Sequence, residues 1–364
     1  MTRAVLPVVL LTAFAASAAA DGLLFVPTWP KQVQVIDEAK EQVVDRIELS
    51  TGPSHGLKLS EDRKTIYVST VDHNGIEVID VPTRKVTNAF VLDEGNKRVR
   101  TSGFAPDPDG KLLYTLIRVA EKKIDRFEIA PLKFAVIDLA QKKIVRTADF
   151  PKEEDQGNIY GRAGNIRISP DGKYLYLFRH NVLIFDTADF KLIDKIELAK
   201  PEIPGMMNIG LSQELDSIQQ AGQLVSLFNS SDPVVRRQIF GIAHFDLTRR
   251  TFEFAPIGPA TTGLMGLHVT PDRKTGYTVA TSGGGGNKRS EFWVFDLATN
   301  RLARKQEFDG RSRFNFAISS TGKNLYIYGA GYQVEIYDST SLQLRKTIDV
   351  NADITANMIV LPGR

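Results

Sequence analysis

The sequence predicts an all-β fold, a seven-bladed β-propeller whose ring closes by pairing of N- and C-terminal strands. Three observations carry this: a strand motif ending in Asp recurs through the chain, a tight-turn signature precedes most copies, and each chain end holds part of one blade.

The motif is apolar-x-apolar-apolar-Asp, followed within about ten residues by another apolar stretch. Its seven copies end at Asp37, Asp80, Asp138, Asp186, Asp246, Asp296 and Asp338, as in Val33-Gln34-Val35-Ile36-Asp37 and Ile76-Glu77-Val78-Ile79-Asp80. Successive copies lie roughly 40 to 60 residues apart, the period of a four-stranded propeller blade.

The turn signature supplies each blade's first two strands. In Ile166-Arg167-Ile168-Ser169-Pro170-Asp171-Gly172-Lys173, followed by Tyr174-Leu175-Tyr176, β-rich runs flank an Asp-Gly turn. Asp107-Pro108-Asp109-Gly110, Val269-Thr270-Pro271-Asp272 and Ile318-Ser319-Ser320-Thr321-Gly322 are variants, as is Leu59-Ser60-Glu61-Asp62. The fifth blade departs from the rule. Between Ile209 and Phe228 it has no Pro-Asp-Gly turn, and residues 213–220 could form a short helical turn.

At the ends, Leu23-Leu24-Phe25-Val26 reads as a second strand with no inner strand before it, and residues 354–361 read as an inner strand with nothing after it. Joined, they make one blade and remove an exposed sheet edge. Two inserts, Arg118 to Lys133 and Asn229 to Gln238, lie between second and third strands; they read as surface loops or as docking elements for a partner protein.

Residues 1–20 read as a secretory signal peptide, with Arg3 before an uncharged run and Ala18-Ala19-Ala20 as cleavage site. Residues 21–364 then form the propeller domain, and the expected location is the periplasm. No stretch reaches the ~18 apolar residues of a membrane span. With 42% hydrophobic and 24% charged residues the chain resembles an ordinary globular protein. Its basic clusters, Lys97-Arg98 and Arg236-Arg237, are too short to suggest a nucleic-acid surface. The chain has no cysteine, which excludes disulfides, thiolate ligands and covalent haem c attachment on this polypeptide.

No catalytic motif stands out. His55, His73, His180, His244 and His268 form no pair with metal-ligand spacing, so no metal site is expected. Gly283 to Gly286 lies between strands with no helix to follow, unlike a phosphate cradle. There is no G-x-S-x-G elbow, and Trp29 and Trp293 are the only tryptophans, too few for a propeller that holds a quinone on its axis. A propeller site can still be assembled at the mouth of the channel from single side chains where inner strands begin. The candidates for a substrate cavity there are His55, Arg100, Arg162, Asn208, Met265, Arg313 and Asn357, although for each taken singly lining that satisfies strand ends and channel water is the plainer reading.

Over nearly its full length the mature chain resembles the propeller β subunit of quinohemoprotein amine dehydrogenase, and more distantly the methylamine dehydrogenase heavy chain and YVTN-type propellers. The similar features are Leu24-Phe25-Val26-Pro27, the insert ending Arg126-Phe127-Glu128-Ile129-Ala130-Pro131, and the turnless fifth blade before Phe245-Asp246-Leu247. The resemblance implies a heteromeric complex for oxidative deamination of primary amines. In it a tryptophan-derived quinone sits on a small separate subunit and haem c on a third, this chain holding no cofactor. Two alternatives remain open: a stand-alone periplasmic propeller that binds a ligand or partner, and a propeller hydrolase or lactonase using axial His and Arg residues.

Overall fold

The structure, a computed structural model, describes residues 22–363 apart from 72–73, 156–165, 200–203, 212–221, 233, 235, 261–262 and 312. The signal segment, the predicted mature terminus Asp21, His73, Arg162 and the possible helical turn at 213–220 lie outside the described residues.

Seven antiparallel sheets follow one another along the chain, all but one built from strands adjacent in sequence; the exception joins the two chain ends. Blade 1 combines Ile359–Leu361 with Leu23–Thr28, Gln32–Asp37 and Gln42–Glu48. Blade 2 comprises Ser54–Leu59, Thr65–Thr70, Gly75–Asp80 and Lys85–Val91, and blade 3 comprises Lys97–Pro106, Leu112–Lys122, Lys133–Asp138 and Lys143–Asp149 with an added strand, Phe127–Ile129. Blade 4 is Ile166–Ile168, Tyr174–Phe178, Asn181–Asp186 and Leu192–Glu197. Blade 5, despite its missing turn signature, has four strands: Asn208–Leu211, Gln223–Asp232, Arg237–Asp246 and Thr251–Pro259. In blade 6 the inner strand is split into Gly263–Leu264 and His268–Val269, followed by Thr275–Ser282, Arg289–Asp296 and Arg301–Phe308. Blade 7 is Asn315–Ile318, Asn324–Tyr328, Gln333–Asp338 and Leu344–Asp349.

Second and third strands lie between neighbouring blades and bury both faces, so burial is continuous along them even where a polar residue interrupts the apolar run, as at Gln34 and Glu77. Fourth strands are wet, as in the largely exposed Leu192–Glu197. The core is accordingly a set of inter-blade seams. Between blades 3 and 4 the Phe134 ring stacks on Phe190 at 4.7 Å and meets Phe185 edge-on at 4.7 Å.

The repeated Asp closes the turn after each third strand. Asp138 accepts the backbone N–H of Ala140 at 2.9 Å and of Gln141 at 2.8 Å, and Asp246 accepts those of Thr248 at 3.0 Å and Arg249 at 2.8 Å. These hydrogen bonds to backbone and side chain hold the Asp80, Asp138, Asp296 and Asp338 carboxyls below the usual carboxylate range. Four residues beyond every Asp the backbone turns left-handed, at Glu41, Arg84, Lys142, Phe190, Arg250, Asn300 and Leu342. The first-to-second strand connection is wider than the expected two-residue turn. In blade 4 paired Ser169 and Tyr174 bracket a four-residue loop, in which Gly172 donates to the Ser169 carbonyl and supplies a φ of 73°.

A tyrosine on the second strand fastens one blade to the next. Tyr176 Oη donates to the Leu247 carbonyl at 2.6 Å and Tyr277 Oη to the Ser339 carbonyl at 3.4 Å, each acceptor following the repeat Asp of the next blade. Tyr326 does the same across the chain ends, donating to Glu38 Oε1 at 2.8 Å. Glu38 also accepts the backbone N–H of Gly22 at 2.9 Å and of Ser320 at 3.1 Å. Ring closure is completed by antiparallel pairing of Leu23 with Leu361, Leu24 with Val360 and Phe25 with Ile359.

Candidate functional site

Antiparallel blades give the ring two unlike mouths. At one, inner strands begin and second strands turn into third strands; at the other, first strands turn into second and third into fourth. The sequence places its seven cavity candidates at the first mouth, and the structure scatters those that it describes. His55, Asn208 and Arg313 are exposed. Arg100 is exposed within a strand that runs from Lys97, longer than expected, and pairs with Arg118. Met265 packs half-buried against the blade 6 and 7 seam. Arg162 falls outside the described residues, and Asn357 alone of the remaining six lines the axial cavity.

Both inserts are hairpin arms rather than loops, and both rise from this first mouth, since each joins a second strand to a third. In blade 3, Leu112–Lys122 continues past the ring and pairs on one side with Lys97–Pro106 and at its tip with Phe127–Ile129. Phe127 and Ile129 share one face of their strand and are 62% and 64% exposed; Ile124 at the tip is fully exposed. Charged groups fringe this apolar tip: Arg126 Nη2 pairs with Glu128 at 2.8 Å and Lys123 Nζ with Glu121 at 2.7 Å. The blade 5 arm pairs Ser231 with Gln238 and Asp232 with Arg237, and carries Val234, 79% exposed.

The second mouth opens into an axial cavity of about 360 Å³. Its wall is partly apolar, with Leu57, Ile168 and Leu224 among its lining; Arg63 stands exposed at the rim, and two further cations lie deeper. Lys58, on the inner strand of blade 2, donates from Nζ to the Ile166 carbonyl of blade 4 at 3.1 Å, and passes 5.8 Å from the Phe104 ring of blade 3. Arg167 Nη1 lies 3.3 Å from the same carbonyl oxygen, so the ammonium and guanidinium are neighbours. Both keep some surface open to the cavity while its walls crowd them. Burial, and then the Arg167 charge, hold the Lys58 ammonium well below its ordinary 10.5, and burial brings Arg167 down to about 10. Tyr67 Oη donates to the Gly110 carbonyl at 3.3 Å, and burial pushes this phenol up to about 12, so it is neutral.

Sequence reasoning missed Lys58 and Arg167 because it looked for the site where inner strands begin. A signal was present. Leu57-Lys58-Leu59 and Ile166-Arg167-Ile168 place a cation between apolar neighbours opposite the repeat tyrosine position, where blades 3 and 7 have Ala105 and Ala317. The histidine at the matching place in blade 6, His268, turns instead into the core. It is 2% exposed, sits edge-on 5.0 Å from Phe316, and is lowered by burial to about 3. Among the described residues no group of three or more His, Cys, Asp or Glu is placed to hold a metal ion, and no helix is long and apolar enough to cross a membrane.

No protein-family model and no curated protein matches the sequence. Solved structures do match in three dimensions. A functionally unknown protein from Desulfotomaculum acetoxidans superposes with a TM-score of 0.57 at 12% identity, over 94% of this chain and 100% of its own. Dihydro-heme d1 dehydrogenase NirN, in complex with DHE, gives 0.51 at 14% identity over 92% of this chain and 74% of its own. Apo AztD from Citrobacter koseri gives 0.50 at 14% identity over 94% and 99%. At such identities the likeness establishes the fold, a β-propeller, and nothing narrower.

Proposed function

We propose that this chain is an exported docking propeller: the cofactor-free subunit of a periplasmic amine-oxidising complex, seating a small quinone-bearing chain on the mouth from which the two arms rise. The observation that carries the docking role is the blade 3 arm, whose exposed Ile124, Phe127 and Ile129 are fringed by charge in the manner of a protein contact. The sequence resemblance supplies the kind of partner. Removing electrons from a C–N bond requires an acceptor cofactor, so the quinone and the haem c belong to partner chains and this chain contributes surface and positioning. Arg100, Asn208 and Arg313, exposed at the same mouth, would then line a cavity shared with the partner.

The test is co-purification from the native periplasm, followed by visible spectroscopy and amine-dependent dye reduction. The expected result is a colourless, inactive isolated propeller, and an active complex containing a small quinone-bearing chain and a haem protein. The paired substitutions Phe127→Ser and Ile129→Ser should abolish recovery of that chain while leaving the melting temperature unchanged, because both side chains are already in water. Amine turnover by the propeller alone, or native material with no quinone-bearing chain, would defeat the reading.

A second reading, a stand-alone propeller that binds a small ligand, is favoured by the axial cavity at the other mouth. The hydrolase reading gains no such support, since its axial histidine, His55, is exposed and does not line the cavity.

A further inference from the structure

We propose that the axial cavity at the second mouth is a binding site for a small organic carboxylate, its anionic head held by Lys58 and its apolar body laid against the cavity wall. Nothing in this depends on the docking reading, which concerns the opposite mouth. Lys58 and Arg167 bring two like charges to one carbonyl oxygen, that of Ile166, in a channel that crowds both heads. Like charges in a desolvated space repel strongly, and a buried charge requires a counter-charge. Among the described residues no carboxylate lies within ion-pair distance of Lys58, whose hydrogen bond goes to a neutral carbonyl. Only one of its three ammonium protons is thereby used.

Four carboxylates line the cavity, Glu61, Asp62, Asp107 and Asp109, and all belong to the first-to-second strand turns at its rim. Asp107 accepts the backbone N–H of Lys111 at 2.7 Å and of Leu112 at 2.8 Å, and Asp62 accepts Ser60 Oγ at 2.6 Å and the Lys64 N–H at 3.0 Å. Toward the solvent edge these are screened, whereas Lys58, deeper in the channel, is screened less. An entering anion therefore meets a screened rim and the Lys58 ammonium beyond it.

Size and wall chemistry narrow the class of ligand. A volume of about 360 Å³ is at the small end of ligand pockets. Leu57, Ile168, Leu224 and Met358 offer apolar contact that inorganic phosphate would leave unused, so an aliphatic or aromatic monocarboxylate fits better. The Lys58 ammonium disfavours a protonated amine, which places any amine chemistry elsewhere on the molecule.

Isothermal titration of the mature chain with benzoate, benzyl alcohol and benzylamine tests this, with inorganic phosphate as the head group alone. Benzoate should bind and raise the melting temperature; phosphate should bind more weakly, and the alcohol and the amine not measurably. Lys58→Gln should weaken benzoate by about tenfold or more, the worth of a charge-assisted hydrogen bond. In the absence of benzoate the same variant should melt no lower than the parent, because the repulsion with Arg167 is gone. Equal binding of benzoate and benzyl alcohol, no binding of benzoate, phosphate binding as tight as benzoate, or unchanged benzoate affinity in Lys58→Gln would each overturn the proposal. Should Lys58→Gln fail to fold, the comparison of benzoate with benzyl alcohol on the parent chain decides alone.

Discussion

Single side chains in this protein divide into those the repeat requires and those it merely tolerates, and His268 belongs to the second kind. Buried beside Phe316, it is lowered to about 3 from an ordinary 6.5, so the folded chain keeps the imidazole neutral where the unfolded chain would protonate it. Between about pH 6.5 and 3 the unfolded state therefore binds the extra proton. Stability from this residue is complete above pH 6.5 and is lost as pH falls, at up to ~1.4 kcal/mol per pH unit. His268→Leu removes that titration. The gap between urea midpoints at pH 7 and pH 4.5 should be smaller in the variant than in the parent, and an identical gap would show that His268 is not held neutral. Histidine at this place was visible in the sequence only as one of five. Whether an inner-strand residue turns into the axis, as Lys58 does, or into a seam, as His268 does, depends on how each blade leans on the next, which one blade's sequence does not encode.

At the scale of the element, the repeat motif was legible because every part of it has a local job. Apolar positions build the seam, and the terminal Asp satisfies the N–H groups of a turn whose left-handed residue comes four positions later. The fifth blade shows how far this goes: it lost its first turn signature yet kept Asp246, and its third and fourth strands pair in the usual way. Asp246→Ala removes the acceptor for the Thr248 and Arg249 N–H groups. A loss of about 1 kcal/mol is expected, read as a lower urea midpoint with an unchanged slope. A larger loss, with a changed slope, would mean that the whole turn unravels. The arms were less legible. Residues 118–133 and 229–238 look like loops because hairpins projecting into solvent have no buried face to impose a period of two. For the same reason the sequence did not show that Arg100 lies on an arm strand starting at Lys97, before the ring proper.

The ring as a whole depends on one joint, between the first two strands of blade 1, that no covalent chain crosses. There the last strand joins the first by three residue pairs, and blade 7 grips blade 1 through Glu38, which receives Tyr326, Ser320 and Gly22. The closure was readable from the sequence as two half-blades, whereas the Glu38 clasp was not, because it joins residues at opposite ends of the chain. The C-terminal residues feed two cores at once: Ile354, Met358 and Val360 pack with Leu24 and Val26, while Ile359 packs with Phe25 and Val33. Deleting residues 354–364 strips four buried side chains from these clusters, each worth about 2–5 kcal/mol. That loss is comparable with the 5–15 kcal/mol of an entire domain. It also leaves Leu23–Thr28 as an exposed, apolar edge strand ready to pair with another molecule. The truncated chain should therefore aggregate, or melt far below the full chain, when followed by light scattering and calorimetry. A truncated protein that stayed monomeric and melted with its parent would mean that the ring holds without this joint.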